Sequence, residues 1–321
     1  AIGTVIGWIL QFSVQIPSMR RAGLSYRPTF DLKEAGLREV AVLMLPVLIS
    51  GSFDQIYFSF DKSIASKVTG DIAMLDYANK LSTMVSAVLL TTIATVLYPN
   101  LVRNADSREK MADNLSFGIN LNLLIALPAT LALILLRVPI IHLVYERGKF
   151  EATVATASIL ACYSAGILGV GLRELCNRTF YAYKDMKVPT LVGIGVVLLN
   201  IALNYALYPF FGAPGIAAAT SVSSLLSGGV LMALLHRKRR AVDFARVLRC
   251  LWKAATATGA MAAVLVILTS ALDLHAQSGM RFYLSMLIVF AAGVGVYGVS
   301  LVLLKTEEVR MALSMVKKKM G

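Results

Sequence analysis

The sequence predicts an all-α polytopic membrane protein with about nine transmembrane helices. Apolar residues make up 57% of the 321 residues and charged residues only 15%, against roughly 25% charged in soluble domains. The mean hydropathy is +0.72. The apolar runs are continuous over about 20 residues, which is typical of membrane-spanning helices and not of alternating barrel strands. This composition excludes a disordered or fibrous chain and disfavours a soluble globular one.

Nine segments have the length and apolarity of a membrane span. They are residues 1–19, 40–60, 81–99, 119–136, 152–172, 188–210, 213–235, 254–272 and 282–304. The connections between them are short, so we expect neighbouring spans to run antiparallel.

The distribution of charge predicts the orientation. The net charge is +13, from 31 Lys and Arg against 18 Asp and Glu. Most of these cations lie in alternate loops, those that follow the first, third, fifth, seventh and ninth spans. Because cytoplasmic loops carry an excess of Lys and Arg, we expect residue 1 outside the cell and the C-terminus in the cytoplasm. The excess of Lys and Arg over Asp and Glu is then explained without a nucleic-acid partner.

The start of the chain predicts a fragment. The chain begins with Ala1, and its first apolar run carries no charge before Arg20 and Arg21. A signal peptide has a basic start and a cleavage site after its apolar core, and neither is found. We expect a cut just before a transmembrane helix, with processing of a mature protein as the alternative. After this run, Asp31 and Glu34 have capping-box spacing, which predicts an interfacial helix over 31–39.

Polar residues inside spans are costly and usually face a cavity or a partner. Asp54 lies in the second span. It is either a buried partner of a residue on another helix or the residue that carries a coupling proton or cation. Asp61 and Lys80 are separated by one short loop, so they form either a structural ion pair or the charged wall of a cavity. Arg173 cannot face its neighbour Glu174 on a helix, so it points at a cavity or at lipid head groups.

Other polar and small residues predict helix packing. Asn200 and Asn204 share one helix face, which favours interhelical hydrogen bonds. Recurrent glycines, among them Gly166, Gly169 and Gly293, favour close helix contacts.

The sequence offers little support for an enzyme. It contains neither a GxxxxGK[ST] phosphate loop nor a GxSxG motif. The three cysteines, Cys162, Cys176 and Cys250, have no metal-binding or disulfide spacing. The three histidines, His142, His236 and His275, lie in three different loops. We therefore expect no catalytic residues, no metal site and no cofactor.

Several strings resemble signatures of the MurJ (MviN) lipid II flippases, in the same order along residues 1–205. They are Leu10-Gln11-Phe12, Gln15-Ile16-Pro17, Arg20-Arg21-Ala22-Gly23, Leu45-Pro46-Val47-Leu48-Ile49, Asp61-Lys62-Ser63-Ile64, Leu75-Asp76-Tyr77-Ala78-Asn79-Lys80-Leu81, Thr95-Val96-Leu97-Tyr98-Pro99, Arg147-Gly148-Lys149-Phe150 and Phe180-Tyr181-Ala182-Tyr183-Lys184. Residues 206–321 match the family only in hydropathy and number of spans.

The resemblance implies helices six to fourteen of a fourteen-helix transporter of the multidrug/oligosaccharidyl-lipid/polysaccharide exporter superfamily. Residues 1–19 would be the last helix of a truncated first lobe, whose other helices are absent from this chain. Residues 20–39 would form a cytoplasmic loop and residues 40–238 the second six-helix lobe. Residues 239–304 would be two extra C-terminal helices that form a groove for a polyprenyl tail, followed by a basic cytoplasmic tail, 305–321.

The resemblance also implies a function and a site. The substrate would be lipid II, an undecaprenyl-pyrophosphate carrying the disaccharide-peptide of peptidoglycan, flipped from the inner to the outer leaflet of the bacterial plasma membrane by alternating access. The cavity residues would be Lys80, Asp61, Asn79, Arg173 and Lys187, with Asp54 and Asp61 as coupling candidates. Lys80 stands where the family has an Arg, so it keeps the charge and loses the bidentate fork.

Two alternatives stay open at this point. One is a related exporter of lipid-linked oligosaccharides or of cationic drugs, although a drug exporter is expected to favour acidic cavity residues. The other is a membrane scaffold without transport activity.

Overall fold

Every regular element in the described part of the chain is an α-helix. This computed structural model describes residues 2–21, 23, 52, 55–56, 59–66, 71–88, 92–145, 153–240, 242–274, 279–306 and 308. The chain divides into two compact units, Ala1–Leu45 and Pro46–Gly321, and each is described by itself. The predicted interfacial helix at 31–39 and most of the predicted tail lie outside the described residues.

The first unit contains helix α1, Ile2–Arg21. The second contains a short helical segment over residues 59–65 and ten longer helices. They are α2 (Asp71–Ser86), α3 (Thr92–Arg103), α4 (Arg108–Leu135), α5 (Arg137–Tyr145), α6 (Thr153–Ala165), α7 (Ile167–Ala182), α8 (Lys187–Phe211), α9 (Ala213–Arg239), α10 (Phe244–Ala271) and α11 (Gly279–Leu303).

Six helical segments of the described chain are long and apolar enough to cross a membrane, which makes this a multi-pass membrane protein. They are α4, α6 with α7, α8, α9, α10 and α11. The total of nine stays a prediction. Span 1–19 falls in α1, span 40–60 lies mostly outside the described residues, and span 81–99 is divided between α2, which ends at Ser86, and α3, which begins at Thr92.

Proline and glycine explain two breaks that the sequence analysis did not predict. Helix α4 ends at Leu135 and α5 begins two residues later, because Pro139 has no N–H for the carbonyl of Leu135. Helices α6 and α7 meet at Gly166, whose N–H bonds the Tyr163 carbonyl at 3.0 Å. A Cβ at Gly166 would lie 2.7 Å from the Cα of Ser221 in α9, so this close contact requires glycine.

Helix α9 packs against α6, α7 and α8, while α10 packs on α4 and on α11. Tyr297 of α11 donates a hydrogen bond to the Leu124 carbonyl of α4 at 2.6 Å. Large buried side chains such as Leu115, Leu175 and Phe180 fill the space between α4, α7 and α9. The last described residue, Glu308, is held on α4 by Asn120, whose Nδ2 donates to Oε1 at 2.6 Å.

Large apolar side chains remain exposed along α8, α10 and α11. They include Leu191, Leu198, Leu248, Trp252, Ile267, Leu287, Phe290 and Leu303. Exposed apolar surface on this scale marks contact with a membrane or a partner, and its position on span-length helices fits a bilayer.

Candidate functional site

A polar cavity of about 370 Å³ lies between α2, α6, α7 and α9. Most of its lining residues carry a hydroxyl or amide group, and one carries a guanidinium. The lining residues are Gln55, Asn79, Ser82, Thr83, Ser86, Tyr163, Gly166, Val170, Arg173, Thr220, Ser221 and Ser224. These groups can form hydrogen bonds with a polar ligand that enters the space between these apolar helices.

Helix α2 supplies one wall through residues spaced three or four apart. Asn79, Ser82, Thr83 and Ser86 therefore share one helix face. The Asn79 Oδ1 accepts a hydrogen bond from Thr83 at 3.3 Å, and the Ser86 hydroxyl donates to the Ser82 carbonyl at 2.9 Å. These local bonds satisfy the short polar side chains within a helix that is otherwise apolar.

Arg173 supplies the positive charge of the cavity from α7. It is the cation among the described lining residues, and these include no carboxylate. The next residue, Glu174, binds Arg178 one turn away, with 2.8 Å between Nε and Oε1. Arg173 lines the cavity, whereas Glu174 is not among the lining residues.

Asp61 lies behind the cavity wall in a buried hydrogen-bonded cage. Its carboxylate is 1% exposed; it accepts from Asn204 Nδ2 at 2.5 Å and from the Thr220 hydroxyl at 3.2 Å. Asn200 completes the cage, since its Oδ1 accepts from Asn204 at 3.1 Å and its Nδ2 donates to Thr220 at 3.3 Å. The interhelical bonding predicted for the two asparagines is thus present, and Thr220 joins the cage to the cavity.

The cage concentrates oxygen atoms around one carboxylate. The Asn204 Oδ1 is buried without a hydrogen-bond partner among the described residues. Carboxylate, amide and hydroxyl oxygens suit a proton or a hard cation. No group of three His, Cys, Asp or Glu side chains that could hold a metal ion occurs in the described part of the chain.

The structure brings together two of the six predicted site residues. Asn79 and Arg173 line the same cavity, with Asp61 one layer behind them. Lys80 is exposed on α2, and Lys187 is exposed at the start of α8; neither lines the cavity. Lys187 precedes Asn204 by 17 residues on one helix, which separates them by about 25 Å. Asp54 lies outside the described residues.

One suggested ion pair is replaced by another. Asp61 and Lys80 do not pair, because Asp61 is turned into its cage and Lys80 remains exposed. Lys62, the neighbour of Asp61, instead binds Asp76, the residue one turn before Lys80, at 3.0 Å between Nζ and Oδ1.

Sequence reasoning missed most of the hydroxyl lining. Ser82 and Ser86 on α2, and Thr220 with Ser224 on α9, are four residues apart within apolar helices. That spacing places each pair on one face and was a readable signal. The sequence analysis assigned no role to these hydroxyl residues, so the signal was not used.

A second, apolar groove of about 750 Å³ runs between α4, α5, α10 and α11. Its lining includes Pro128, Ala129, Leu265, Met286, Phe290 and Val294. Val85 of α2 lines this groove, while the next residue, Ser86, lines the polar cavity. Consecutive residues of one helix therefore border a polar compartment and an apolar one.

Comparison with known proteins identifies a family. The model of the family described as lipid II flippase MurJ matches residues 1–296. The chain is 35% identical over 243 residues to a probable lipid II flippase MurJ of Vibrio cholerae, covering 74% of this chain and 45% of that protein. It is 30% identical over 249 residues to the lipid II flippase MurJ of Burkholderia cenocepacia, covering 74% and 48%. The chain thus spans about half the length of these curated relatives.

Solved structures share the fold. A structure of the lipid II flippase MurJ in an inward closed conformation superposes with a TM-score of 0.70 at 24% identity, covering 93% of this chain and 60% of that chain. A MATE crystal structure in a bent conformation gives 0.55 at 16% identity, covering 82% and 64%. At these identities the likeness establishes the fold alone.

Proposed function

The chain belongs to the lipid II flippase MurJ family, and from this premise we propose that it flips lipid II across the bacterial plasma membrane by alternating access. The observation that carries the proposal is the adjacency of a polar cavity and an apolar groove, which are bordered by the consecutive residues Ser86 and Val85. Lipid II has a charged, hydrogen-bonding head and a polyprenyl tail, and each part matches one compartment.

The charge of the cavity favours an anionic head group. A pyrophosphate accepts several hydrogen bonds, and a guanidinium recognises it with a planar pair of donors. Arg173 supplies that group, and the hydroxyl and amide side chains around it supply neutral donors. Lys80 is the neighbour of Asn79 on α2 and is exposed. We assign Lys80 to the same head group in an access state in which other helices cover this exposed side chain. Lys187 would act at the cytoplasmic rim.

The Asp61 cage is our candidate for energetic coupling. Moving one charge across the membrane is worth about 2.3 kcal/mol per 100 mV, so a proton or cation held at Asp61 could bias the two access states. The cage touches the cavity through Thr220, which gives a direct route from the coupling site to the substrate. Asp54 keeps its sequence-based assignment as a second candidate.

The proposal includes the finer topology. Nine spans would cross the membrane, with the C-terminus in the cytoplasm. Residues 40–238 would form the second lobe and residues 239–304 the two extra helices. The packing of α10 and α11 on each other supports that division.

The related-exporter alternative divides into two cases. A carrier of cationic drugs needs acidic groups that face its substrate, and the described lining residues contain none. A carrier of another lipid-linked oligosaccharide fits the same two compartments. A scaffold without transport activity does not require a cavity lined by polar groups. Only a measurement of transport by this chain excludes the scaffold alternative.

The proposal is tested in bacteria depleted of their own lipid II flippase. The chain is expressed alone and also joined to the part of the Vibrio cholerae relative that it does not match. The measurement is the amount of lipid II that becomes accessible to an enzyme added outside the cell. We expect access to be restored, and Lys80→Ala and Arg173→Ala each to reduce it about tenfold or more, as expected when a hydrogen bond to a charged group is lost.

Arg108→Ala is the matched control, because Arg108 is an exposed cation at the start of α4, away from both compartments. It should leave access within about twofold of wild type. If neither form restores access despite good expression in the membrane, lipid II is not the substrate and the oligosaccharide exporter becomes the better assignment.

A further inference from the structure

Two hydrogen bonds join α11 and the residues that follow it to α4, at one end of the apolar groove. The Tyr297 hydroxyl donates to the Leu124 carbonyl, and both residues line the groove. One turn before Leu124 on α4, Asn120 Nδ2 donates to Glu308 Oε1 at 2.6 Å. The second bond therefore lies just beyond the end of the groove, and the flipping mechanism proposed above does not use it.

The chain turns sharply after α11 and brings Glu308 back to α4. The Lys305 N–H donates to the Val302 carbonyl at 3.1 Å. The Thr306 N–H donates to the Leu301 carbonyl at 3.4 Å, which completes the Schellman pattern of a helix C-terminus. Lys305 has a φ of 50°, in the left-handed region where glycine is usual because a Cβ is costly there. The turn is thus formed in spite of a poorly suited residue, and it gives Glu308 a defined position.

The Glu308 carboxylate is buried beside cations of α10. It is 6% exposed and lies in a small polar pocket whose lining includes Arg246, Arg249 and Lys253. The Lys253 Nζ also donates to the Lys305 carbonyl at 3.1 Å, so α10 holds the turn as well. Burying a carboxylate is costly unless hydrogen bonds and cations compensate for the lost water, and both are present in this pocket.

The position of this polar contact indicates what it does. Helix α11 packs on α10, and the groove separates its residues Phe290 and Val294 from Ala129 of α4. Apolar packing permits small shifts of one helix along another, whereas a hydrogen bond is directional and specifies one position. We propose that Glu308 and Asn120 are positioning residues for the polyprenyl tail, because their hydrogen bond fixes α11 relative to α4 and thereby sets the width of the groove.

This inference rests on the proposed function, since it names the part of lipid II that the contact serves. A long tail fills the groove and depends on its width, whereas a short tail does not. A contact that only stabilised the fold would affect both kinds of substrate equally. The length of the tail therefore distinguishes a positioning role from a structural one.

The experiment compares two tails on the same head group. Vesicles contain the chain joined to the unmatched part of the Vibrio cholerae relative, and translocation is measured for lipid II and for an analogue with a short tail. Glu308→Ala should reduce translocation of lipid II about tenfold or more, as expected when a hydrogen bond to a charged group is lost. It should leave the short-tailed analogue within about twofold of wild type. An equal loss of both substrates, or no loss of either, would overturn the proposal.

Two variants serve as controls. Glu308→Gln keeps an oxygen that accepts from Asn120, so it should restore translocation of lipid II to within about threefold of wild type. Glu109→Ala removes an exposed carboxylate in the first turn of α4 and should leave both substrates within about twofold. A Glu308→Gln variant as impaired as Glu308→Ala would contradict a role for the hydrogen bond.

Asn120→Leu breaks the same bond from α4 and keeps the test decisive if Glu308→Ala fails to fold. It should show the same selective loss of lipid II translocation. The double variant should lose no more than either single variant, because the two residues act through one bond. Losses that multiply in the double variant would show that the residues act independently and would contradict the proposal.

A second measurement does not depend on the substrate. If the wild type translocates neither substrate, the proposed function fails, and the position of α11 is measured in the purified full chain by double electron–electron resonance. The spin labels are attached at Lys110→Cys on α4 and Leu303→Cys on α11, which are both exposed, after Cys162→Ala removes the native cysteine that is partly exposed. We expect one narrow distance distribution with Glu308 or Glu308→Gln and a broader one with Glu308→Ala. An unchanged distribution in Glu308→Ala would refute the positioning role.

Discussion

At the residue scale, the Asp61 cage links three segments of the chain. The carboxylate of Asp61 accepts from Asn204 on α8 and from Thr220 on α9. Buried polar groups stabilise a structure only when they are satisfied, and one that loses its partner costs about 1–3 kcal/mol. The cage therefore combines a structural contribution with the coupling role proposed above, and substitutions can separate the two.

Asp61→Asn should abolish flipping while the protein stays folded. An asparagine at this position retains an oxygen that can accept from Asn204 or Thr220, but it carries no charge and takes up no proton. We expect lipid II translocation to fall to background and the melting temperature to change little. Full translocation in Asp61→Asn would remove Asp61 from the coupling mechanism.

Asp61→Ala is the companion variant. It leaves the Asn204 amide and the Thr220 hydroxyl without their acceptor, which costs about 1–3 kcal/mol for each group left unsatisfied. The melting temperature should therefore fall by several degrees more than in Asp61→Asn. Equal melting temperatures in the two variants would show that the cage contributes no stability.

Single residues were predictable where their chemistry is costly in a membrane. A charged or amide group inside an apolar helix must face something polar, so Arg173, Asn79 and the pair Asn200 and Asn204 could be assigned to cavities or contacts in advance. The direction of Asp61 could not be assigned, because it depends on which of several helices packs nearest. Lys80 and Lys187 remain predictions about binding.

At the element scale, close helix contacts depend on a few glycines. A Cβ at Gly169 in α7 would collide with the backbone of Leu225 in α9, whereas a Cβ at Gly195 in α8 would meet no atom within 4 Å. The sequence gives no reason to distinguish these two glycines, whereas the structure shows that only Gly169 is in close contact with another helix. Recurrent glycine therefore predicted close packing correctly at some positions and not at others, since only the neighbouring helix determines the available space.

Gly169→Ala should destabilise the protein, because the backbones of α7 and α9 must move apart. We expect a cost of about 1–3 kcal/mol, as in other overpacked sites. Gly195→Ala is the matched control: it adds the same methyl group in open space and should leave stability unchanged or raise it by about 0.5–1 kcal/mol. Thermal unfolding in detergent measures both, and equal melting temperatures would contradict the packing described for Gly169.

The apolar groove should respond to filling. Ala129 lines it on α4, so Ala129→Trp should block a long polyprenyl tail and spare a lipid II analogue with a short tail. Leu303→Trp, on an exposed position of α11, is the control and should spare both. Translocation of both substrates is measured, and an equal loss of both in Ala129→Trp would contradict the assignment of the groove to the tail.

Element boundaries were less predictable than element type. Hydropathy detects only the part of a helix that lies inside the hydrocarbon. The predicted spans are therefore shorter than α4 and α7, which extend into segments that carry Arg108 and Arg178. Hydropathy also cannot detect a break within an apolar run. The break before α5 depends on Pro139, and the break at Gly166 depends on a contact with α9.

At the scale of the whole molecule, the orientation can be tested directly. Helix α10 separates Arg240 from Asp273, two exposed residues in turns at its opposite ends. In a variant without the three native cysteines, a membrane-impermeant maleimide should label Asp273→Cys in intact cells and Arg240→Cys only after lysis. Labelling of both in intact cells, or the reverse pattern, would contradict a cytoplasmic C-terminus.

The overall architecture was predictable because the membrane restricts backbone structure to a few forms. Continuous apolar runs must become helices in a bilayer, and this determined the fold class from the sequence. The relation between the polar cavity and the apolar groove was not predictable, since it depends on how α10 packs on α4 and how α11 packs on α10. The chain covers about half of each curated relative. Lipid II flipping by this chain is therefore established only by a direct measurement.

The most direct test is translocation of fluorescent lipid II in reconstituted vesicles. The vesicles contain the chain joined to the unmatched part of the Vibrio cholerae relative, and a membrane-impermeant reductant quenches lipid II in the outer leaflet. Flipping carries the inner-leaflet fraction to the reductant, so the account predicts nearly complete quenching with the wild type and a protected fraction with Arg173→Ala. A protected fraction that stays the same with and without well-folded wild-type protein would contradict the assignment of these compartments to lipid II.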